Sequence, residues 1–142
     1  MSSFTFRNNM AEFIEAKNAA VERALEAVGI QASSHAVQNI KASGRVDTGL
    51  LKNSITHAIS SEKPSKEQYS ADKGGGTGRY DSSAPDDPEN MKAVYIGTNV
   101  EYAPYVEMGT DRMTAAHFIK NAVTDHQDEY RAIMERYVKI ED

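Results

Sequence analysis

The sequence predicts an α+β domain with a long N-terminal helix, a small antiparallel sheet carrying a long inserted loop, and a C-terminal helix. Three observations predict it. Apolar residues recur at steps of three and four from Met10 to Ser43 and again from Phe118 to Val138, the stripe of an amphipathic helix. Short runs rich in β-branched residues, Ile55 to Ile59 and Val94 to Ile96, stand between those two stretches. A chain of 142 residues has room for one core, and helices at both ends with strands between them suit a sheet with helices packed on one face.

The first helix is the strongest signal. Met10, Phe13, Ile14, Val21, Ala24, Leu25, Val28, Ala32, Ala36, Val37 and Ile40 form the stripe, and Glu12, Glu15, Lys17, Glu22, Arg23, Glu26, Gln31 and Lys41 lie between them. A helix of this length spans about 45–50 Å, more than a domain of this size needs for its own core, so part of it is expected to pack on another subunit. Gly29 is a candidate kink, and Gly44 is placed to end the helix.

After it, Asp47 or Thr48 is placed to cap a short helical turn that leads into a strand in which Ile55, His57 and Ile59 alternate. From 60 to 92 there is no Val, Ile, Leu or Phe, while four of the nine glycines and three of the four prolines fall there. Such a segment has little to bury, which predicts a mobile excursion between two strands. Val94-Tyr95-Ile96 resumes as a strand, Gly97-Thr98-Asn99 reads as a turn, and Val100 to Met108 reads as a second extended run that Pro104 either places at a sheet edge or breaks. Gly109 ends that run, and Thr114 is placed to cap the last helix.

Several chemistries are excluded or unsupported. The chain has no cysteine, so thiolate metal sites, disulfides and thiol nucleophiles are absent. Sixteen Lys and Arg against 21 Asp and Glu give a net charge of −5, which disfavours binding of duplex phosphates through a basic face. No apolar run reaches the roughly 20 residues of a membrane span, and the N-terminus lacks a basic region followed by an apolar one, which argues against export and anchoring. Asp47-Thr48-Gly49 is the tripeptide of aspartic proteases, but a helix precedes it and a helix-like segment follows, so a capped turn is the better reading. The run Gly74-Gly75-Gly76-Thr77-Gly78-Arg79 lacks the Lys-Ser/Thr pair of a phosphate-binding loop and reads as a flexible hinge. His35, His57, His117 and His126 show no pair at i, i+4 spacing and no metalloprotease Glu, so the sequence assigns no metal and no cofactor; His126, on the stripe of the last helix, reads as a packed or interface residue. Tyr95, Tyr102 and Tyr105 suit either a core margin or a protein interface, and Glu101 and Glu107 read as solvated or salt-bridged carboxylates.

Four blocks in order carry a resemblance: Val46-Asp-Thr-Gly-Leu-Leu-Lys-Asn-Ser-Ile55, Tyr95-Ile-Gly-Thr98, Tyr102-Ala-Pro-Tyr-Val-Glu-Met-Gly-Thr110 and Phe118-Ile-Lys-Asn-Ala122. Together with the long helix before them they resemble the small tail-component proteins of long-tailed bacteriophages, described as neck, head-tail joining or tail-completion proteins. That family commonly has Pro immediately before the Phe of the last helix, where this chain has His117. The resemblance implies a non-enzymatic virion subunit without cofactors, formed in the host cytoplasm and built into a ring, typically sixfold, at the head-tail junction. Its implied partners are copies of itself, the head-closure or connector proteins, and the tail terminator or tail tube proteins. Genomic DNA would pass through the lumen without sequence-specific binding, which an acidic chain permits, and no membrane is involved. Asp47, Thr48, Gly49 and Leu51 would shape the turn after the long helix; Tyr102, Tyr105, Glu107, Gly109 and Thr110 would form the second motif, and Phe118 would head the last helix. Two other classes compete: an assembly chaperone or regulator absent from the finished virion, and an aspartic-type protease using Asp47.

Overall fold

The structure, a computed structural model, describes residues 11–45, 48–87, 89 and 91–139, and the side chains of the first helix from residue 18. Asp47 and Val46, and with them half of the expected cap, lie outside the described residues. The architecture is α+β: a long helix, two small antiparallel sheets, and short helices toward the C-terminus.

Helix α1 (Ala11–Ala42) runs unbroken through Gly29 and stops at Gly44, whose φ of 72° lets its N–H turn back to the Lys41 carbonyl at 3.2 Å. Its buried stripe, Ala20, Ala24, Leu25, Val28, Ala32, Ala36 and Ile40, is covered by the chain's own sheet and C-terminal helices. Over residues 20–40 the chain's own elements cover this stripe. The side chains of Phe13 and Ile14, and Met10, lie outside the described residues. Gly29 is a contact glycine, since a Cβ built there would stand 2.5 Å from His57 Cδ2 and 2.9 Å from Val94 Cγ2. Helix and sheet touch backbone to side chain at that point.

Helix α2 (Leu50–Ser54) and strand β1 (Thr56–Ile59) follow as expected. Gly49, not Thr48, occupies the N-cap position, with φ 89°. All four β1 residues are buried, and β1 pairs antiparallel with β4 (Val94–Gly97) in the register His57 opposite Ile96 and Ile59 opposite Val94. Those residues face α1.

Between them the expected structureless excursion contains a hairpin, β2 (Gln68–Ser70) and β3 (Thr77–Arg79), with Tyr69 buried in the main core. Tyr69 and Tyr80, whose rings lie 5.2 Å apart, supply the apolar area that the missing Val, Ile, Leu and Phe do not. The glycine run serves the hairpin instead of hinging it. Gly74 and Gly75 take positive φ in the turn, and a Cβ on Gly78 would sit 2.3 Å from the Tyr69 ring.

The segment expected to be a second extended run is helical, α3 (Ala103–Met108). Pro104 stands in its first turn, where its missing N–H costs nothing, and Val100, Ala103 and Val106 point inward at a spacing of three. The last helix is two, α4 (Phe118–Thr124) and α5 (Gln127–Val138), and the cap of the first is His117, not Thr114. The core gathers Ala36 and Ile40 of α1, Leu51 and Ile55, Tyr69, Val100, Ala103 and Val106, and Phe118 and Ala122. No helix among the described residues is long and apolar enough to cross a membrane.

Candidate interaction surface

Helix α3 is amphipathic in a way that leaves its apolar side divided. Ala103 and Val106 are buried, while Tyr102, Tyr105 and Met108, at i, i+3 and i+6, are 43%, 60% and 71% exposed. Two large side chains of this six-residue helix and that of its N-cap residue Tyr102 make a ridge.

Two grooves adjoin the ridge, one reaching Tyr102 and the other Met108. One, of about 350 Å³, is bounded by Thr48, Gly49, Leu51, Lys52 and Tyr102. The other, of about 490 Å³, is bounded by Asn99, Pro104, Glu107, Met108 and Phe118. The blocks that stand apart in the sequence thus converge around α3.

The floor of the first groove is latched. The Thr48 carbonyl accepts the N–H groups of Asp72 (2.7 Å) and Lys73 (3.0 Å), and the Thr48 hydroxyl accepts that of Leu50 at 3.3 Å. Asp72 in turn receives Lys52 Nζ at 2.7 Å and Asn53 Nδ2 at 2.9 Å, and these donors hold its carboxyl below the usual carboxylate range. A Cβ on Gly49 would lie 2.5 Å from Asp72 Oδ2, so glycine is required there for space as well as for its positive φ. The turn that the sequence singled out is the anchor of the hairpin.

The second groove owes its shape to Glu107. Its Oε1 accepts the N–H of Ile119 and its Oε2 that of Lys120, both at 2.9 Å, so one carboxylate caps α4 from the preceding helix. The Glu107 carbonyl also accepts the N–H of His117 at 3.1 Å. Glu107 is therefore a hydrogen-bonded cap and not the solvated or ion-paired carboxylate the sequence suggested. His117 has φ 48° and uses its N–H, and a proline at this position can do neither. Gly109, at φ 81°, passes so close to the next turn that a Cβ would lie 2.7 Å from the Ala115 nitrogen. Thr110 closes that turn, paired with Met113, and its hydroxyl accepts the Arg112 N–H at 3.2 Å. Tyr105 stands free on the ridge, whereas Leu51 and Phe118 belong to the core.

Two clusters went unseen in the sequence. In one, His57 Nε2 lies 2.8 Å from Glu26 Oε1 and His57 Nδ1 lies 3.2 Å from Ser65 Oγ, a Ser-His-Glu chain that neither groove touches. In the other, the His35 and His126 rings stack at 3.5 Å with 11° between their planes, and Glu129 Oε2 lies 3.4 Å from His35 Nε2. Tyr130 Oη is 2.7 Å from His35 Nδ1 and donates to the Ala122 carbonyl at 2.5 Å. Burial and then the adjacent His126 hold the His35 imidazole below the usual histidine range, against the pull of Glu129. Burial, with Glu129 beside it, pushes the Tyr130 phenol up to about 12. Among the described residues, His35, His126 and Glu129 form the group able to offer a metal three ligand atoms, all within 4.8 Å of one another. The i, i+3 spacing of His126 and Glu129 was the only local signal, and it points nowhere without His35.

Comparison of the chain with protein-family models, with curated proteins and with solved structures finds no match.

Proposed function

We propose that this chain is a structural subunit of a tailed-bacteriophage virion, joining copies of itself in a ring at the head-tail junction, and that it works by shape and not by chemistry on a substrate. The observation that carries the reading is the α3 ridge: Tyr102, Tyr105 and Met108 stand exposed beside two grooves walled by the same sequence blocks that resemble the phage family. Tyrosine and methionine are enriched at protein interfaces because they bring large apolar area at small ordering cost or adapt to irregular partners. A ridge on one subunit and a groove on the next form a heterologous contact, and a heterologous contact closes into a ring when its rotation divides a full turn. The net charge of −5 suits a lumen through which DNA slides without adhering.

The test is Tyr105→Glu, which places a charge at an exposed position and leaves the core of the subunit alone. The variant is expected to remain folded by circular dichroism, to form no rings by particle imaging, and to leave heads and tails unjoined when it replaces the wild-type protein in an infected cell. Normal particles from a phage carrying the variant, or from one lacking the protein altogether, overturn the proposal.

A further inference from the structure

The hydrogen-bond geometry around His35 specifies where its protons are. Tyr130 has a single hydroxyl hydrogen, and at 2.5 Å it is committed to the Ala122 carbonyl, which has no proton to give. The 2.7 Å contact between Tyr130 Oη and His35 Nδ1 is therefore made by a hydrogen on Nδ1. In neutral His35 that leaves Nε2 as a bare lone pair, and Nε2 lies 3.4 Å from a carboxylate oxygen of Glu129. Two lone-pair donors therefore face the same point, and a cation placed there is attracted by both.

We infer that His35 Nε2, His126 and Glu129 form a binding site for a zinc-class divalent metal ion that ties α1 to the start of α5. Two imidazoles and one carboxylate are a donor set that borderline divalent ions accept. Around a tetrahedral metal with bonds of about 2.0–2.2 Å, neighbouring ligand atoms stand roughly 3.3 Å apart, and the His35–Glu129 separation already matches that edge. The three atoms lie within 4.8 Å, but the His126 ring lies flat against that of His35, so closing the set requires His126 to turn out of the stack at the N-cap of α5 while Glu129 closes from its first turn. His35 does not need to move, because Tyr130 orients its ring through the far nitrogen, the usual arrangement of a metal-bound imidazole. A proton is the competing cation; it bridges only His35 and Glu129, whereas a metal ion takes a ligand from His126 as well. The inference does not depend on a role in a virion.

The experiment is titration of the untagged full chain with zinc chloride and cobalt(II) chloride at about pH 7.5, where imidazoles are free to ligate. One equivalent of either ion is expected to bind, cobalt with the visible absorption of a low-coordinate nitrogen-oxygen site. His126→Ala and Glu129→Gln, both on the outer side of the cluster, are expected to weaken binding at least about tenfold, while Glu26→Gln, at the other His-Glu pair, leaves it unchanged. Zinc at a hundredfold excess over its dissociation constant is expected to raise the wild-type Tm by roughly 5–10 °C and to leave that of His126→Ala unmoved. No stoichiometric binding of either ion overturns the inference, and so does binding that survives both cluster substitutions or is lost in Glu26→Gln.

Discussion

Replacing Gly29 by Ala separates the local physics of a helix from the packing of this one. In an isolated helix the change stabilises by about 0.8–1.0 kcal/mol, because glycine is the poorer helix former. Here the new methyl would stand 2.5 Å from His57 Cδ2, 2.8 Å from His57 Cγ and 2.9 Å from Val94 Cγ2, all about 1 Å inside ordinary contact. Relief requires moving α1 away from the sheet or turning His57 out of its place, which lengthens its 2.8 Å bond to Glu26 and its 3.2 Å contact with Ser65. Overpacking of this kind costs about 1–3 kcal/mol, and part of a hydrogen bond worth about 1 kcal/mol goes with it. Set against the propensity gain, the net expectation is destabilisation by about 0.5–2.5 kcal/mol, read as a lower urea midpoint at unchanged m-value. The coupling is equally specific. In a His57→Ala background two of the three close contacts vanish, so Gly29→Ala is expected to cost at least about 1 kcal/mol less than in the wild type. A Gly29→Ala protein as stable as the wild type, or more so, refutes the close approach of helix and sheet.

The other expectations concern the supports of the α3 surface. Glu107→Ala leaves the Ile119 and Lys120 N–H groups without their acceptor and is expected to destabilise by about 1–3 kcal/mol, with amide exchange accelerated first in α4; uniform exchange would contradict its role as a cap. The Asp72 carboxyl is held below its ordinary value, so the stability it contributes is complete above the unfolded carboxylate pKa of about 3.9 and is lost as pH falls through the lower folded value. Lys52→Met is expected to raise the Asp72 pKa toward that ordinary value in a carbon-detected NMR titration, and an unmoved titration would refute the latch.

Much of the scaffold was legible from local pattern, and the reason is that a helix or strand with one buried face repeats its apolar residues at the period of its own backbone. The α1 stripe declares itself this way, whereas β1 is buried at every position and the alternation of Ile55, His57 and Ile59 marks only one of its two covered faces; Gly44 and Gly109 mark stops because the chain there adopts positive φ. Val100 to Met108 was ambiguous, since a nine-residue run is too short for period to decide between strand and helix, and only the burial of Ala103 and Val106 against Phe118 resolves it. The hairpin was hidden because two tyrosines carry the apolar area that aliphatic residues usually supply, and Tyr69 finds its place only beneath Asn99 and Gly78. The motif residues were identifiable in order but not in arrangement: that Thr48 and Tyr102 wall one groove, and Glu107 and Phe118 the other, follows from how α1 and the sheet bring distant segments together. His35 and Tyr130 stand 95 positions apart, and their contact depends on α5 lying along α1. The sequence by itself determined the long first helix, the strands β1 and β4 and the helical C-terminal region, and that the chain carries no thiol. Tertiary structure alone decided which polar side chains meet, because their convergence is set by the packing of apolar faces far from them in the chain and leaves no periodic trace.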